Sequence, residues 1–147
     1  MTTKTTSSTH PLHILVADDK SEFRTLVIET LGTSEAVSVV ECGSLSTVQR
    51  LKKEDRKFDV CILDVVFHRG VNQYRQIVEL ARAESPHALI FALSDYIGNL
   101  SSKDRALTDE TLLKPRFRGS RELLIQKLIS LIEKSEAIVP ATREQTP

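Results

Sequence analysis

Five polar side chains stand where short apolar runs of this chain end. Asp18 and Asp19 follow HILVA, Asp64 follows FDVCIL, Ser94 follows ALIFAL, and Lys114 follows TLL. Taken singly, each has an ordinary explanation. An Asp pair after an apolar run is most often a helix cap or a solvated turn. A serine there is a turn residue, and a Lys-Pro pair is a turn bearing a surface charge. Taken together they supply three carboxylates, one hydroxyl and one ammonium. Carboxylates a few ångströms apart repel one another in a partly desolvated site and call for a cation. Oxygen-only ligands suit Mg2+, which keeps several waters and takes phosphate oxygens. Lys114 adds a fixed positive charge. A carboxylate can attack phosphorus to form an aspartyl phosphate, and catalysis of such a transfer is mostly positioning and charge neutralisation. A metal, a lysine and a hydroxyl around Asp64 are what an in-line transfer onto that residue needs.

These residues act jointly only if the fold brings the run ends to one place. Five strand-like runs are read at His13–Ala17, Val37–Glu41, Phe58–Leu63, Ala88–Leu93 and Thr111–Leu113. Helical periodicity is read at 21–31, 44–53, 70–83, weakly at 99–107, and most clearly at 120–134, with Ser21 and Ser120 as caps. Repeated strand–helix alternation predicts a parallel sheet with helices on both faces. Its continuous apolar runs fit strands buried on both sides. The expected architecture is a flavodoxin-like doubly wound fold of five parallel strands in the order 2-1-3-4-5, whose ligands sit outside the carboxyl ends of the strands. The domain is expected at 12–134, with flexible tails at 1–11 and 135–147.

Composition narrows the function class. The chain has 147 residues, 20 Lys and Arg against 20 Asp and Glu, and a formal net charge of zero. That length suits one domain. The even balance argues against nucleic-acid binding and against a polybasic membrane surface. The longest apolar run, Ala88 to Leu93, falls far short of the ~20 residues of a membrane span, and residues 1–11 lack the apolar stretch of a signal peptide. A cytoplasmic location is expected. Of the two cysteines, Cys42 and Cys61, neither belongs to a metal-ligand or CxxC spacing, and both read as buried small hydrophobes.

The stretches HILVADD, VCILDV, IFALSD and LLKP resemble the receiver domain of bacterial two-component response regulators, over nearly the whole chain from Leu12 to Lys134. The resemblance implies that Asp64 is the phosphoacceptor. It implies that Asp18 and Asp19, with Asp64 and the backbone carbonyl of Val66, hold Mg2+. Ser94 would hydrogen-bond the phosphoryl group, and Lys114 would pair with one of its oxygens. The implied donor is a histidine kinase or a phosphotransfer protein. The implied output surface is the face of the fourth helix, fifth strand and fifth helix, which is also a candidate homodimer contact. Phosphorylation would bias a two-state equilibrium there.

Several positions depart from the family pattern. The aromatic residue usual three positions before the lysine is Thr111, for which Tyr96 is a candidate substitute. Asp95 follows Ser94 where a small residue is usual, and Leu107-Thr108 replaces a Gly-Ala pair. His68 stands where the loop after the acceptor usually has proline, and the third helix is expected to begin early, at Gly70. His68 reads as an exposed loop residue, and the cluster Lys114, Arg116, Arg118 and Arg121 as a solvated basic loop. The fifth helix carries more than one apolar stripe, from Leu123 to Ile132, which points to deep packing or a partner.

The leading expectation is a stand-alone, phosphorylation-driven interaction module. It is not a metabolic enzyme, catalysing at most its own phosphorylation and dephosphorylation. The alternative is a pseudo-receiver that keeps the fold and works as a phosphorylation-independent scaffold. A phosphohydrolase is disfavoured, because Val66 stands where such enzymes carry a second acid, and it cannot protonate a leaving group.

Overall fold

Alternation along the strands decides how this chain packs. The computed structural model describes residues 11–31, 37–54, 56–65, 74–95, 100–115 and 118–145. Five strands, β1 (Leu12–Ala17), β2 (Val37–Cys42), β3 (Val60–Asp64), β4 (Leu89–Ser94) and β5 (Glu110–Leu113), form one sheet in the order β2-β1-β3-β4-β5. All four pairings are parallel. The helices are α1 (Ser21–Leu31), α2 (Leu45–Lys53), α3 (Tyr74–Glu84), α4 (Ser102–Ala106) and α5 (Arg118–Gln145).

Successive strand residues point to opposite faces, and the core divides accordingly. Leu12, Ile14, Val16, Val60, Ile62, Phe91, Leu93 and Leu112 pack with α1 and α5, meeting Leu26, Val27, Leu124 and Leu128. The intervening Leu15, Ala17, Cys61, Leu63, Ile90 and Ala92 pack with α2 and α3, meeting Val48, Leu51, Ile77 and Val78. Apart from exposed His13 and the terminal Asp64 and Ser94, the central strands are therefore apolar on both faces, as parallel strands covered on both sides must be. Burying one such Leu or Ile fully contributes roughly 1.5–3 kcal/mol.

The expected boundaries hold to within a few residues, with three corrections. α2 begins at Leu45, and Ser44 is its cap: the Ser44 hydroxyl accepts the Thr47 N–H at 3.3 Å. α4 is a single short piece, capped by Ser101 through the Asp104 N–H at 3.1 Å. α5 begins at Arg118, so Ser120 lies inside its first turn, and it continues to Gln145. Residues 135–145 are thus helical where a loose tail is expected. Nothing between Lys134 and Pro140 breaks a helix, and buried Ser135 donates its hydroxyl back to the Leu131 carbonyl at 2.7 Å. The expected start of the third helix at Gly70 lies outside the described residues.

Candidate functional site

Main-chain hydrogen bonds carry the sheet one residue beyond its strands and fix the chemistry-bearing positions. The Asp18 N–H donates to the Cys42 carbonyl at 3.0 Å, Val65 to Leu93 at 3.0 Å, and Lys114 to Ser94 at 2.8 Å. The alternation then aims the side chains. Asp18, Asp64 and Lys114 continue the series Ile14–Val16, Val60–Ile62 and Leu112, which belongs to the α1 and α5 face. Three side chains from three strands consequently meet at one edge of the sheet.

The meeting is close. The Lys114 ammonium lies 2.9 Å from Asp18 Oδ2 and 3.3 Å from Asp64 Oδ1. Asp18, Asp64 and Lys114 are each less than 5% exposed, at 0%, 3% and 4%. Asp19 joins them half-buried: one carboxylate oxygen from each of Asp18, Asp19 and Asp64 lies within 4.8 Å of the others. Ser94 is buried at the end of β4 and tied to Lys114 through the main chain. The alternation of β4 puts Ser94 on the opposite parity from Leu93, in series with Ile90 and Ala92.

Electrostatics follow from this packing. Burial pushes the Asp64 carboxyl up to about 7, the Asp18 charge pushes the same way, and Lys114 pulls it back. Lys114 is the reverse case. Burial works against its charge, yet the hydrogen bond and charge of Asp18, with the charge of Asp64, hold it above the ordinary lysine value. One lysine does not satisfy three carboxylates. Asp18 Oδ2 and Asp19 Oδ1 are buried without an aligned hydrogen bond, although the ammonium is within ion-pair range of the first. Asp18 Oδ2 has only the shared ammonium and Asp19 Oδ1 has no partner, a costly arrangement for buried acceptors. Two on neighbouring carboxylates, beside a third carboxylate, are the donor set that a hard divalent cation takes. The residues present fit such an ion.

Two supporting residues escape a reading of the sequence. Arg24 donates from Nη1 to the Asp18 carbonyl at 2.7 Å, while its Nε pairs with Glu41 Oε1 at 2.8 Å. It ties β2 to the turn that bears the acidic pair. Gly43 leaves room for it, since a Cβ there would stand 2.9 Å from Nη1. Phe23 presents its ring to the Lys114 ammonium, 4.3 Å from the centroid. Both follow Asp18-Asp19 within one helical turn or so, but periodicity marks Phe23 only as part of an apolar face.

Other expected residues fall variously. Lys114 is not part of a surface basic patch, because it is buried against Asp18 and Asp64; Arg121 is exposed. Asp95 is exposed and Thr111 half-buried, its carbonyl accepting from Lys127 Nζ at 2.9 Å. Val66, His68, Arg69, Tyr96 and Arg116 lie outside the described residues, as does the Val66 carbonyl as a metal ligand. Cys42 and Cys61 are free and buried, and desolvation pushes their thiols up to about 11 and about 12.

The architecture has close counterparts. A signal receiver domain of an HD domain-containing protein from Pseudomonas fluorescens Pf-5 superposes with a TM-score of 0.70 at 13% identity, over 99% of this chain and 98% of that one. A response regulator from Burkholderia pseudomallei, with a phosphorylated aspartic acid, a calcium ion and citrate, gives 0.59 at 22% identity over 86% and 74%. This chain has the fold of a response-regulator receiver domain. The receiver fold is also shared with a structure described as adenylate cyclase from Rhodopirellula baltica, at a TM-score of 0.63 and 20% identity over 91% and 96%. No family model matches the chain, and no curated protein matches it. Among the described residues no helix is long and apolar enough to cross a membrane.

Proposed function

We propose that this chain is a two-component receiver that accepts a phosphoryl group on Asp64. The donor is a histidine kinase or a phosphotransfer protein. An Asp64 carboxylate oxygen attacks phosphorus in line, the phosphorus–nitrogen bond of the phosphohistidine breaks, and the imidazole leaves. The observation that carries this reading is the buried cluster of Asp18, Asp64 and Lys114 beside half-buried Asp19, in which one ammonium serves the carboxylates and Asp19 Oδ1 is buried without a hydrogen-bond partner. Asp18, Asp19 and Asp64, with the Val66 carbonyl, would hold Mg2+, which would supply charge neutralisation for the phosphoryl oxygens. Lys114 leaves its ion pair with Asp64 to meet one of those oxygens, and the Ser94 hydroxyl donates to another. Burial pushes the Asp64 carboxyl up to about 7, so a bound cation would be part of its activation, since the nucleophile is the ionised form.

Output passes to another protein in the cytoplasm. The face of α4, β5 and α5 is the proposed contact, for a downstream protein or for a second copy of the chain. Leu113, Leu123 and Ile129 are large apolar residues on β5 and α5 that are 49%, 68% and 44% exposed. A second reading, a phosphorylation-independent scaffold, is favoured by Thr111, which is half-buried and offers no aromatic ring for the usual switch. The two separate on intact mass after incubation with Mg2+ and a small phosphodonor. A gain of one phosphoryl group in the wild type but not in Asp64→Asn supports the receiver. No gain under any donor supports the scaffold.

A further inference from the structure

Among the described residues the Lys114 ammonium meets two carboxylates and an aromatic ring: Asp18 Oδ2 at 2.9 Å, Asp64 Oδ1 at 3.3 Å, and the Phe23 ring with its centroid at 4.3 Å. The same two carboxylates belong to the group that can close on a cation. A lysine and a divalent ion therefore compete for them. The lysine has little room to retreat, because it is 4% exposed and its main chain is pinned to Ser94. Solvent does not solvate it, and a second cation repels it at short range.

We propose that Phe23 is a positioning residue that seats the Lys114 ammonium on its ring face and keeps it in the site when a divalent cation takes the carboxylates. An aromatic face attracts an ammonium within about 6 Å of its centroid, more strongly where water is excluded. The contact strengthens once the ion takes the carboxylates, because an ammonium shared with fewer anions is drawn harder to the ring, so the ring favours the metal-bound state over the metal-free one. As the ion draws Asp18 and Asp64 away, the ring becomes the larger part of what holds the lysine. Cation binding and lysine retention are then compatible because of one side chain on the first turn of α1. The part of this inference that concerns phosphoryl transfer rests on the function proposed above; the part that concerns the metal and the lysine does not.

The experiment compares the full chain with Phe23→Leu, which keeps apolar bulk and removes the ring face, and Phe23→Tyr, which keeps it. Each is titrated with Mg2+ alone, and the Lys114 side-chain methylene protons are followed by NMR. In the wild type and in Phe23→Tyr these protons are displaced upfield by the ring current and stay so at saturating Mg2+. In Phe23→Leu the displacement disappears and Mg2+ binds about fivefold more weakly, the size of one ordinary cation–π contact. Thermal melts of the three proteins establish that all are folded. Unchanged Mg2+ affinity in Phe23→Leu, or Phe23→Tyr behaving like Phe23→Leu, overturns the proposal. Phosphorylation by a small donor is measured in parallel. Its absence from all three proteins contradicts the receiver reading and leaves the NMR and Mg2+ results to decide the role of Phe23.

Discussion

Replacing Lys114 by methionine keeps the length and apolar stem of the side chain and removes its charge. In the metal-free protein this leaves Asp18 and Asp64, which are 0% and 3% exposed, facing each other without the ammonium that sits 2.9 and 3.3 Å away. Removing one member of a buried ion pair costs about 3–5 kcal/mol, because the remaining charge is left buried. Asp19 beside the cluster is only half-buried, so the lower end applies. About 3 kcal/mol lowers the melting temperature of a chain this size by roughly 6–12 °C. The loss depends on pH in a definite sense. With Asp64 held up to about 7, its carboxyl is neutral at pH 5 in both proteins, and the missing ammonium matters less there than at pH 8. Mg2+ replaces the lost charge, and at a hundredfold excess over its dissociation constant it returns about 2.7 kcal/mol. Urea denaturation of the wild type and Lys114→Met at pH 5 and pH 8, with and without Mg2+, reads all of this. Equal losses at the two pH values, or no larger Mg2+ stabilisation in the variant at pH 8, refute the reasoning.

Three further outcomes follow from the same geometry. Wild-type stability without metal falls as pH rises from about 4 to about 7, because native Asp64 keeps a proton that the unfolded chain has released; Mg2+ flattens that slope, as denaturation across pH will record. Gly43→Ala puts a Cβ 2.9 Å from Arg24 Nη1. The guanidinium yields, its bond to the Asp18 carbonyl is lost, and stability drops by about 1–2 kcal/mol with weaker Mg2+ binding by calorimetry. Cys42 and Cys61, with thiols pushed up to about 11 and about 12, stay unreactive towards a thiol reagent at pH 8 until the protein unfolds; rapid labelling of the native protein contradicts their burial.

Much of this molecule is legible in its sequence, for a physical reason. Parallel strands covered on both faces must be continuously apolar, so β1, β3 and β4 announce themselves as HILVA, VCIL and LIFALS. The polar residue that ends each run is then placed by the sheet. Asp18, Asp64 and Lys114 meet because register and alternation leave them no other place. What stays hidden depends on contacts distant in sequence. Arg24 reads as a surface helix residue until β2 delivers Glu41 and Gly43 beside it. Phe23 reads as core until the end of β5 delivers Lys114 over its ring. Lys114 reads as part of a basic loop for the same reason. Its sequence neighbours Arg116, Arg118 and Arg121 are charged too, and only its burial against Asp18 and Asp64 takes Lys114 out of that reading. The extension of α5 to Gln145 was obscured by Pro140, which is a stop signal in local sequence and not one in this helix.

The central claim is that four strand ends make one pocket that places a phosphoryl group on Asp64. The most direct measurement identifies the modified residue. The protein is phosphorylated with Mg2+ and a small donor, the acyl phosphate is reduced with borohydride, and the peptides are sequenced by mass spectrometry. The account predicts homoserine at position 64 and at no other acidic position. An unmodified Asp64, or reduction at Asp18, Asp19 or Asp95 instead, contradicts it.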